Sequence, residues 1–224
     1  MSEGKQCVVI TGANRGIGLA LVKEYLARNC DVIAVCRTPS EALLATSARL
    51  VQNIDVSQEA SVEQLVSELA QQKIDVLINN AGILRNEALG EIEYATVLEQ
   101  LQVNAVAPLR VTEALLNNLA AGAKVAMITS RMGSISDNGS GGYYGYRMSK
   151  AALNAAAMSL SKDLQPKGIS VAILHPGFVQ TDMVGHAGDI SAEDAAARLV
   201  QRIDGVNLQN SGTFWHSNGE VLPW

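Results

Sequence analysis

Tyr146 and Lys150 are the residues of this chain whose types and spacing are best suited to proton chemistry. They lie four positions apart in a stretch that is predicted to be helical, so both side chains project from one helix face. A cation next to a phenol favours the phenolate, so we expect Lys150 to lower the pKa of Tyr146 from its usual value of about 10. Such a tyrosine can exchange a proton near neutral pH. The pair alone is a weak signal, because Tyr-x-x-x-Lys occurs by chance in many helices.

A glycine-rich segment near the start of the chain supplies a second signal. Thr11 to Gly18 read Thr-Gly-Ala-Asn-Arg-Gly-Ile-Gly and follow a short apolar run that is predicted to be a strand. Glycines permit a tight turn and let a pyrophosphate approach the backbone, while the following helix offers N–H donors and a favourable dipole. The spacing Gly-x-x-x-Gly-x-Gly differs from the Gly-x-Gly-x-x-Gly of most dinucleotide folds and from a P-loop. A purely structural turn is the alternative, but with Tyr146 and Lys150 the segment predicts hydride transfer on a nicotinamide cofactor.

Arg37 bears on which nicotinamide cofactor is used. The second predicted strand ends in Cys36-Arg37, where NAD-binding folds usually have an acid for the 2′-hydroxyl of the ribose. Arg37, together with Arg15 inside the glycine turn, would instead bind a 2′-phosphate through charge-assisted hydrogen bonds. A surface arginine with no such role is the alternative. We therefore predict NADP(H) in preference to NAD(H).

Short apolar runs alternate with helical stretches along the chain, a pattern typical of an α/β fold. Runs rich in Val and Ile without polar alternation indicate parallel strands covered on both faces, and repeated βα units predict a doubly wound sheet of the Rossmann type. We expect a single domain over residues 1–224, with about seven strands flanked by helices. The predicted strands are residues 7–10, 32–35, 50–54, 75–78, 125–128, 171–174 and 212–216. The predicted helices are residues 17–28, 57–71, 93–119, 143–165 and 191–203.

Composition and charge exclude several classes of protein. The 224 residues are 48% apolar and 17% charged, which argues against a disordered chain, and the net charge of −5 argues against a nucleic-acid surface. The three cysteines lack metal-ligand spacing, so we expect neither a metal site nor a disulfide framework. Residues 1–6 are polar and lead directly into a strand, and no apolar run reaches the roughly 18 residues of a membrane span. These observations predict a cytoplasmic protein with no membrane segment and no signal peptide.

The full set of motifs resembles the short-chain dehydrogenase/reductase superfamily over essentially the whole chain. The short length and the ending Gly-Glu-Val-Leu-Pro-Trp are most similar to the small C-factor-like and sniffer-like carbonyl reductases. The motifs that carry the resemblance are Thr11-Gly12-x-x-x-Gly16-x-Gly18, Asp55-Val56, Asn79-Asn80-Ala81-Gly82, Asn104, Ser130, Tyr146-x-x-x-Lys150 and Pro176-Gly177.

The resemblance implies a role for each matched residue. Tyr146 would be the general acid/base, Lys150 would lower its pKa and bind the nicotinamide ribose, and Ser130 would hold the substrate oxygen. Asn104 would position a water that relays protons to Lys150. The cofactor would be held by Tyr146 and Lys150 together with Gly12, Asn14, Arg15, Gly16, Ile17, Gly18, Arg37, Asp55, Val56, Asn80, Ala81, Gly82, Pro176, Gly177, Val179 and Thr181.

Some positions leave alternatives open. Ser130 precedes Tyr146 by about three residues more than is usual in the family, so Ser134 competes for its role. Tyr143 and Tyr144 compete with Tyr146, but only Tyr146 has a lysine four residues later. The glycine-rich residues 133–142 are predicted to be an active-site loop or a plain surface excursion, and residues 182–190 are a candidate lid.

Other side chains have simpler structural interpretations. Asn79 is expected to satisfy backbone groups in a buried turn, and His175 to be structural. Trp215 and Trp224 are expected to cover the core or an interface.

Three functions compete at this point. The first is an NADPH-dependent reductase that acts on a ketone or aldehyde of a small molecule, or on the corresponding alcohol in reverse. The second is a signalling or regulatory protein of the C-factor type that binds the dinucleotide without needing turnover. The third, an epimerase or dehydratase, usually needs an added substrate domain. Alanine-rich faces on the helices predicted over residues 93–119 and 143–165 suit close packing between subunits, so we expect a homodimer.

Overall fold

The structure is a computed structural model that describes residues 4–224, so the first three residues of the polar segment 1–6 lie outside the described residues. Within the described range, parallel strands form one seven-stranded sheet in the order β3-β2-β1-β4-β5-β6-β7. The chain leaves β1 in one direction towards β2 and later returns to its other side at β4, which makes the β1–β4 boundary the topological switch point. The predicted fold class is confirmed. The strands are β1 (Cys7–Thr11), β2 (Asp31–Val35), β3 (Arg49–Val51), β4 (Ile74–Asn79), β5 (Leu119–Ile128), β6 (Ser170–His175) and β7 (Phe214–His216).

Helices cover both faces of the sheet because alternate strand residues bury apolar side chains on each side. In β1, Val9 joins one core cluster, whereas Val8 and Ile10 join the other, and all three are fully buried. Each such side chain contributes about 1.5–3 kcal/mol by leaving water. The helices are α1 (Gly16–Ala27), α2 (Glu41–Leu44), α3 (Glu59–Leu69), α4 (Tyr94–Leu101), α5 (Ala107–Ala114), α6 (Tyr144–Asp163) and α7 (Ala192–Gly205).

The helix predicted over residues 93–119 ends earlier, at Ala114, and is not α-helical throughout. The structure has α4, a π-helical turn at Gln102–Val106, and then α5, and Leu119 already belongs to β5, where it pairs with Ile74. Pro108 lies in the first turn of α5 and has no amide hydrogen to donate, so a regular α-helical ladder cannot pass through this point. The spacing of apolar residues in the sequence does not reveal such a change of helix type, because that spacing changes little over one turn.

Several predicted boundaries also move. Asn53 has a φ of 64° and ends the strand predicted over 50–54, and Tyr143 has a φ of 51°, so α6 begins one residue later than predicted. The short helix α2 was not predicted; Ser40 starts it, and its hydroxyl accepts a hydrogen bond from the amide of Leu43 at 3.2 Å. Residues 182–190 contain a 3₁₀ turn at Asp182–Val184.

Cys7, Cys30 and Cys36 are free thiols. No helix between residues 4 and 224 is long and apolar enough to cross a membrane. The cytoplasmic location stays a prediction.

Candidate functional site

A cleft of about 2120 Å³ runs across the carboxyl ends of the strands. It passes from the glycine turn after β1 to the first turns of α6 and to the segment after β6. Every residue predicted from the sequence to bind the cofactor lines this cleft, and so do Ser130, Tyr146 and Lys150. Of the predicted site residues, Asn104 alone lies behind the lining, fully buried.

The glycine turn has the form of a cradle that side chains cannot fill. Gly12 and Gly16 have φ values of 65° and 53°, which L-residues rarely adopt. A Cβ atom on Gly18 would collide with the carbonyl of Gly12 and approach Nδ2 of Asn80 to 2.7 Å. Oδ1 of Asn14 is buried here and has no hydrogen-bond partner within the described residues. An unfilled backbone cradle with an unpaired acceptor fits a dinucleotide that brings hydroxyl and phosphate groups to a helix N-terminus.

Thr11 and Asn80 hold the turn against the end of β4. Oγ1 of Thr11 accepts hydrogen bonds from the amides of Asn80 at 3.1 Å and Ala81 at 3.2 Å. Nδ2 of Asn80 donates to the carbonyls of Thr11 and Gly12, both at 3.1 Å. The side chain of Asn80 thus bonds to the chain's own backbone while its residue lines the cleft.

Tyr146 and Lys150 lie together at the inner end of the cleft, and both are buried. Nζ of Lys150 is 5.7 Å from the centroid of the Tyr146 ring and donates to the carbonyl of Ile128 at 3.0 Å. Burial raises the pKa of Tyr146 to about 12, and the Ser130 hydroxyl lowers it in part. Burial also lowers the pKa of Lys150 to about 8. The expectation that Lys150 holds the pKa of Tyr146 below 10 is therefore wrong for this structure, because removal of the phenol from water is the largest influence on it.

The geometry distinguishes between the competing serines and tyrosines. Ser130 follows β5 directly and lines the cleft, and its Oγ accepts from the amide of Met132 at 3.2 Å. Ser134 is buried outside the lining, and its Oγ accepts from the amide of Asp137 at 3.2 Å. Tyr144 also lies outside the lining, whereas Tyr143 is part of it. These positions favour Ser130 and Tyr146.

Asn104 lies behind the cleft lining and forms hydrogen bonds with two segments of the chain. Its Oδ1 accepts from the amide of Ile83 at 2.8 Å, and its Nδ2 donates to the carbonyl of Ile83 at 2.8 Å and to Oγ of Ser149 at 3.0 Å. Asn104 belongs to the π-helical turn and so links this turn to α6 and to the segment after Gly82. Asn79 is also buried, and its Nδ2 donates to Oγ1 of Thr112 at 3.0 Å. Asn79 thus bonds to a side chain, not to the backbone groups that we expected.

The two arginines predicted to bind a 2′-phosphate lie exposed at the mouth of the cleft. Nη1 of Arg15 is 2.9 Å from Oδ2 of Asp182, so this pair connects the glycine turn to residues 182–190. Nη1 of Arg37 is 3.9 Å from Oδ2 of Asp55. Oδ1 of Asp55 accepts from the amide and the hydroxyl of Ser57, at 3.0 and 2.7 Å. Both guanidinium groups face solvent and can turn towards an anion.

The two tryptophans have surroundings that match their structural interpretation, whereas His175 lines the cleft and its buried Nδ1 has no hydrogen-bond partner within the described residues. Burial lowers the pKa of His175 to about 3, and its ring packs edge-on against His216 with the centroids 4.8 Å apart. The ring of Trp224 stacks on buried Phe214 at 5.3 Å, and Trp215 packs against a core cluster. Neither tryptophan lines the cleft.

Sequence reasoning missed a polar cluster beneath the start of α6, formed by Glu87, Thr96, Gln100 and the amide of Gly145. Its members lie far apart along the chain, and a glutamate in a polar segment gives no sign that it will be buried. The one available signal was Gly145, because a glycine next to Tyr146 inside a predicted helix indicates a close approach by a neighbouring element.

Comparisons with known proteins agree with this geometry. The family model for short chain dehydrogenases matches residues 6–194. The 1-hydroxy-2-glutathionyl-2-methyl-3-butene dehydrogenase of Rhodococcus sp. (strain AD45) is 38% identical, over 97% of this chain and 99% of its own. The C-signal protein of Myxococcus xanthus is 49% identical over 154 residues, which are 67% of this chain and 93% of that protein.

Solved structures give the same result for the whole fold. The carbonyl reductase Sniffer of D. melanogaster superposes with a TM-score of 0.91 and 32% identity, covering 99% of this chain and 100% of that one. The NADPH-bound carbonyl reductase from chicken fatty liver superposes with a TM-score of 0.88 and 30% identity, with the same coverage.

Proposed function

Because the chain belongs to the short-chain dehydrogenase/reductase superfamily, we propose that it is an NADPH-dependent reductase of ketone or aldehyde carbonyls on small molecules. One observation carries the proposal. A single cleft has the buried Tyr146–Lys150 pair at its inner end and the glycine cradle and Arg37 at its other end. The relationship to two carbonyl reductases supports the same reaction class.

The cofactor would lie along the strand ends. Its pyrophosphate would meet the glycine turn and the N-terminus of α1, and Arg15 and Arg37 would bind the 2′-phosphate. Arg15 would exchange its contact with Asp182 for the phosphate. When bound, the cofactor supplies the hydride that converts the carbonyl carbon to a carbinol carbon. The segment Pro176, Gly177, Val179 and Thr181 would border its nicotinamide end.

Residues of the chain would bind the substrate oxygen and transfer the proton to it. Tyr146 would donate its phenolic proton to the carbonyl oxygen as negative charge develops there, and Ser130 would donate a hydrogen bond to the same oxygen. Lys150 would stabilise the resulting phenolate until it regains a proton from solvent, through the polar groups around Asn104. The net reaction consumes one carbonyl, one NADPH and one proton, and yields one alcohol and NADP⁺.

The first experiment is NADPH and NADH oxidation against a panel of aldehydes, ketones and quinones, with Tyr146→Phe alongside. Loss of a general acid costs about 10²–10⁴ in rate, so kcat should fall by that factor while the variant still binds NADPH. Tyr144→Phe, two residues away and outside the cleft, is the matched control and should retain full activity. A Tyr146→Phe enzyme as active as wild type would contradict the mechanism.

The regulatory alternative rests on the 49% identity to the C-signal protein. If this chain acts by binding the dinucleotide alone, it should bind NADPH tightly and reduce no carbonyl of the panel. Tyr146→Phe would then leave the biological effect intact. Because Tyr146, Lys150 and Ser130 all lie in the cleft, we favour the enzyme.

A second candidate activity is oxidation of an alcohol that carries carboxylates, such as a glutathione conjugate. A 38% identical relative is named for dehydrogenation of a glutathionyl alcohol. In this cleft Arg85 is paired with Glu99, and Arg131 with Asp137. Arg147 has no acid partner within the described residues; it donates to Oγ of Ser140 at 2.9 Å and to neutral carbonyls.

Arg147 therefore offers a cation to a substrate carboxylate one residue from Tyr146. In this activity NADP⁺ accepts the hydride and Tyr146 accepts the alcohol proton. Arg147→Gln should raise the KM for a carboxylated substrate and leave the KM for a neutral carbonyl unchanged. An equal rise for both substrates would argue against carboxylate recognition by Arg147.

We also propose that the protein is a homodimer. Tyr94 and Leu98 lie one turn apart on α4 and expose 74% and 66% of their surface. Met148 on α6, the helix that packs against α4, is 50% exposed. Large apolar side chains of this kind on adjoining helices favour burial between subunits.

A further inference from the structure

Glu87 is a buried acid with an unusual set of partners. It is 3% exposed, and its Oε1 accepts hydrogen bonds from Nε2 of Gln100 and, at 3.1 Å, from Oγ1 of Thr96. Its Oε2 accepts from the backbone amide of Gly145 at 3.1 Å. No lysine, arginine or histidine pairs with Glu87 in the part of the chain that the structure describes. A buried carboxylate without a cation needs another source of positive potential.

The N-terminus of α6 is that source. The first amides of a helix have no partner inside the helix, and their dipoles give this end partial positive charge. α6 has no cap of its own, because the residue before it, Tyr143, is left-handed and makes no side-chain capping bond. Glu87 replaces the missing cap from a distant part of the chain through the amide of Gly145, and its own carbonyl accepts from the amide of Tyr143 at 3.0 Å.

The contact also fixes the distance between α4 and α6. A Cβ atom on Gly145 would lie 2.8 Å from Oε1 of Glu87 and 2.9 Å from Cα of Val97, and would collide with Nε2 of Gln100. Glycine is therefore required at this point of α6. Tyr146 is the next residue, so the backbone that carries the phenol starts from the amide that Glu87 holds.

We propose that Glu87 is a positioning residue for the reaction, and this inference rests on the proposed reductase function. Its buried carboxylate caps the catalytic helix in place of a local residue and fixes the first turn of α6, and so the Tyr146 oxygen, relative to the cleft. It touches neither the substrate nor the cofactor, since it lies outside the cleft lining.

The test is Glu87→Gln, with Glu91→Gln as the matched control. Glu91 belongs to the same segment, is exposed and makes no side-chain hydrogen bond within the described residues. Gln100 and Gly145 donate to different oxygens of Glu87, and glutamine replaces one of these oxygens with an NH2 group, so one of the two donors would lose its acceptor. We expect kcat to fall about tenfold or more, because small displacements of a catalytic group cost up to about 10²-fold. The Kd for NADPH should stay within about twofold, because the glycine cradle lies on other elements.

A second measurement separates positioning from general loss of stability. In the Tyr146→Phe background, Glu87→Gln should change the residual rate less than about twofold, because two residues that act through one group are not additive. A tenfold further loss in that background would overturn the proposal. Gly145→Ala attacks the same contact from the helix side and should lower kcat with the same pattern.

Hydrogen exchange tests the cap without any substrate. Amides of the first two turns of α6 should exchange faster in Glu87→Gln than in Glu91→Gln, while amides of β1 stay unchanged. Equal exchange in the two variants would overturn the proposal. If wild type reduces no carbonyl, the proposed function has failed, and the exchange experiment still decides whether Glu87 holds this helix.

Discussion

Lys150 lies with its Nζ atom 5.7 Å from the centre of the Tyr146 ring and donates a hydrogen bond to the carbonyl of Ile128. Burial acts on the two side chains in opposite directions, raising the pKa of Tyr146 to about 12 and lowering that of Lys150 to about 8. In this arrangement the group that titrates nearest neutral pH is the lysine. Burial therefore disfavours the charged form of each side chain, and the buried ammonium of Lys150 lowers the stability of the folded protein.

Lys150→Met should make the protein more stable and inactive. At neutral pH the buried ammonium is charged at a cost, and methionine removes that cost while leaving the Ile128 carbonyl without its donor. We expect the free energy of unfolding to rise by about 1–2 kcal/mol at pH 7.

The pH dependence gives the control. The folded pKa of Lys150 lies below its unfolded value, so its penalty is complete below about pH 8 and disappears as the pH rises towards 10.5. The advantage of Lys150→Met in urea unfolding should shrink over that window. An advantage that grows with pH would contradict the assignment.

Arg37→Gln should change the choice of cofactor. Its guanidinium is 74% exposed at the cleft mouth, and a charge-assisted bond to a phosphate contributes about 1.5–3 kcal/mol. The KM for NADPH should therefore rise tenfold or more, and the KM for NADH should stay within about twofold. Arg49→Gln is a suitable control, because Arg49 bonds to the carbonyl of Glu68 and lies outside the cleft. An equal rise in KM for both cofactors would show that Arg37 does not bind the 2′-phosphate.

His175→Gln should make the protein less sensitive to acid. Burial lowers the pKa of His175 to about 3, below its ordinary value of 6.5, so the unfolded chain binds the proton more readily. Stability from the neutral ring is complete above about pH 6.5 and is lost as the pH falls towards 3. Between pH 7 and pH 5 wild type should lose about 1–2 kcal/mol more than the variant in denaturant unfolding. Parallel losses would mean that His175 is protonated in the folded protein.

Leu98→Glu should convert a dimer to a monomer. A charge placed on the exposed face of α4 would have to be buried between subunits, at a cost of several kcal/mol. Light scattering after size exclusion should then give about half the mass of wild type. Leu44→Glu places the same charge on α2, where Leu44 is also exposed, and should leave the mass unchanged. A wild-type monomer would refute the proposed assembly.

Most strands, and the glycine turn, could be predicted because their signals are local. Val8, Val9 and Ile10 indicate a strand covered on both faces, and Gly12, Gly16 and Gly18 indicate a turn that side chains cannot enter. The offset between Tyr146 and Lys150 follows from the helical repeat alone. Such features depend on a few neighbouring residues, so the sequence is enough to predict them.

The tertiary structure decided what depends on burial and on distant partners. The pKa of Tyr146 rises because other elements exclude water from it, and no spacing within α6 carries that information. The hydrogen bond from the Gly145 amide to Glu87 likewise depends on how α4 meets α6, because Glu87 lies 58 residues earlier in the chain. The sequence by itself determined the fold class and the chemical groups at the strand ends. Packing alone decided the protonation and the hydrogen-bond partners of those groups. Desolvation depends on the whole surrounding structure, whereas a sequence pattern describes only a few neighbouring residues.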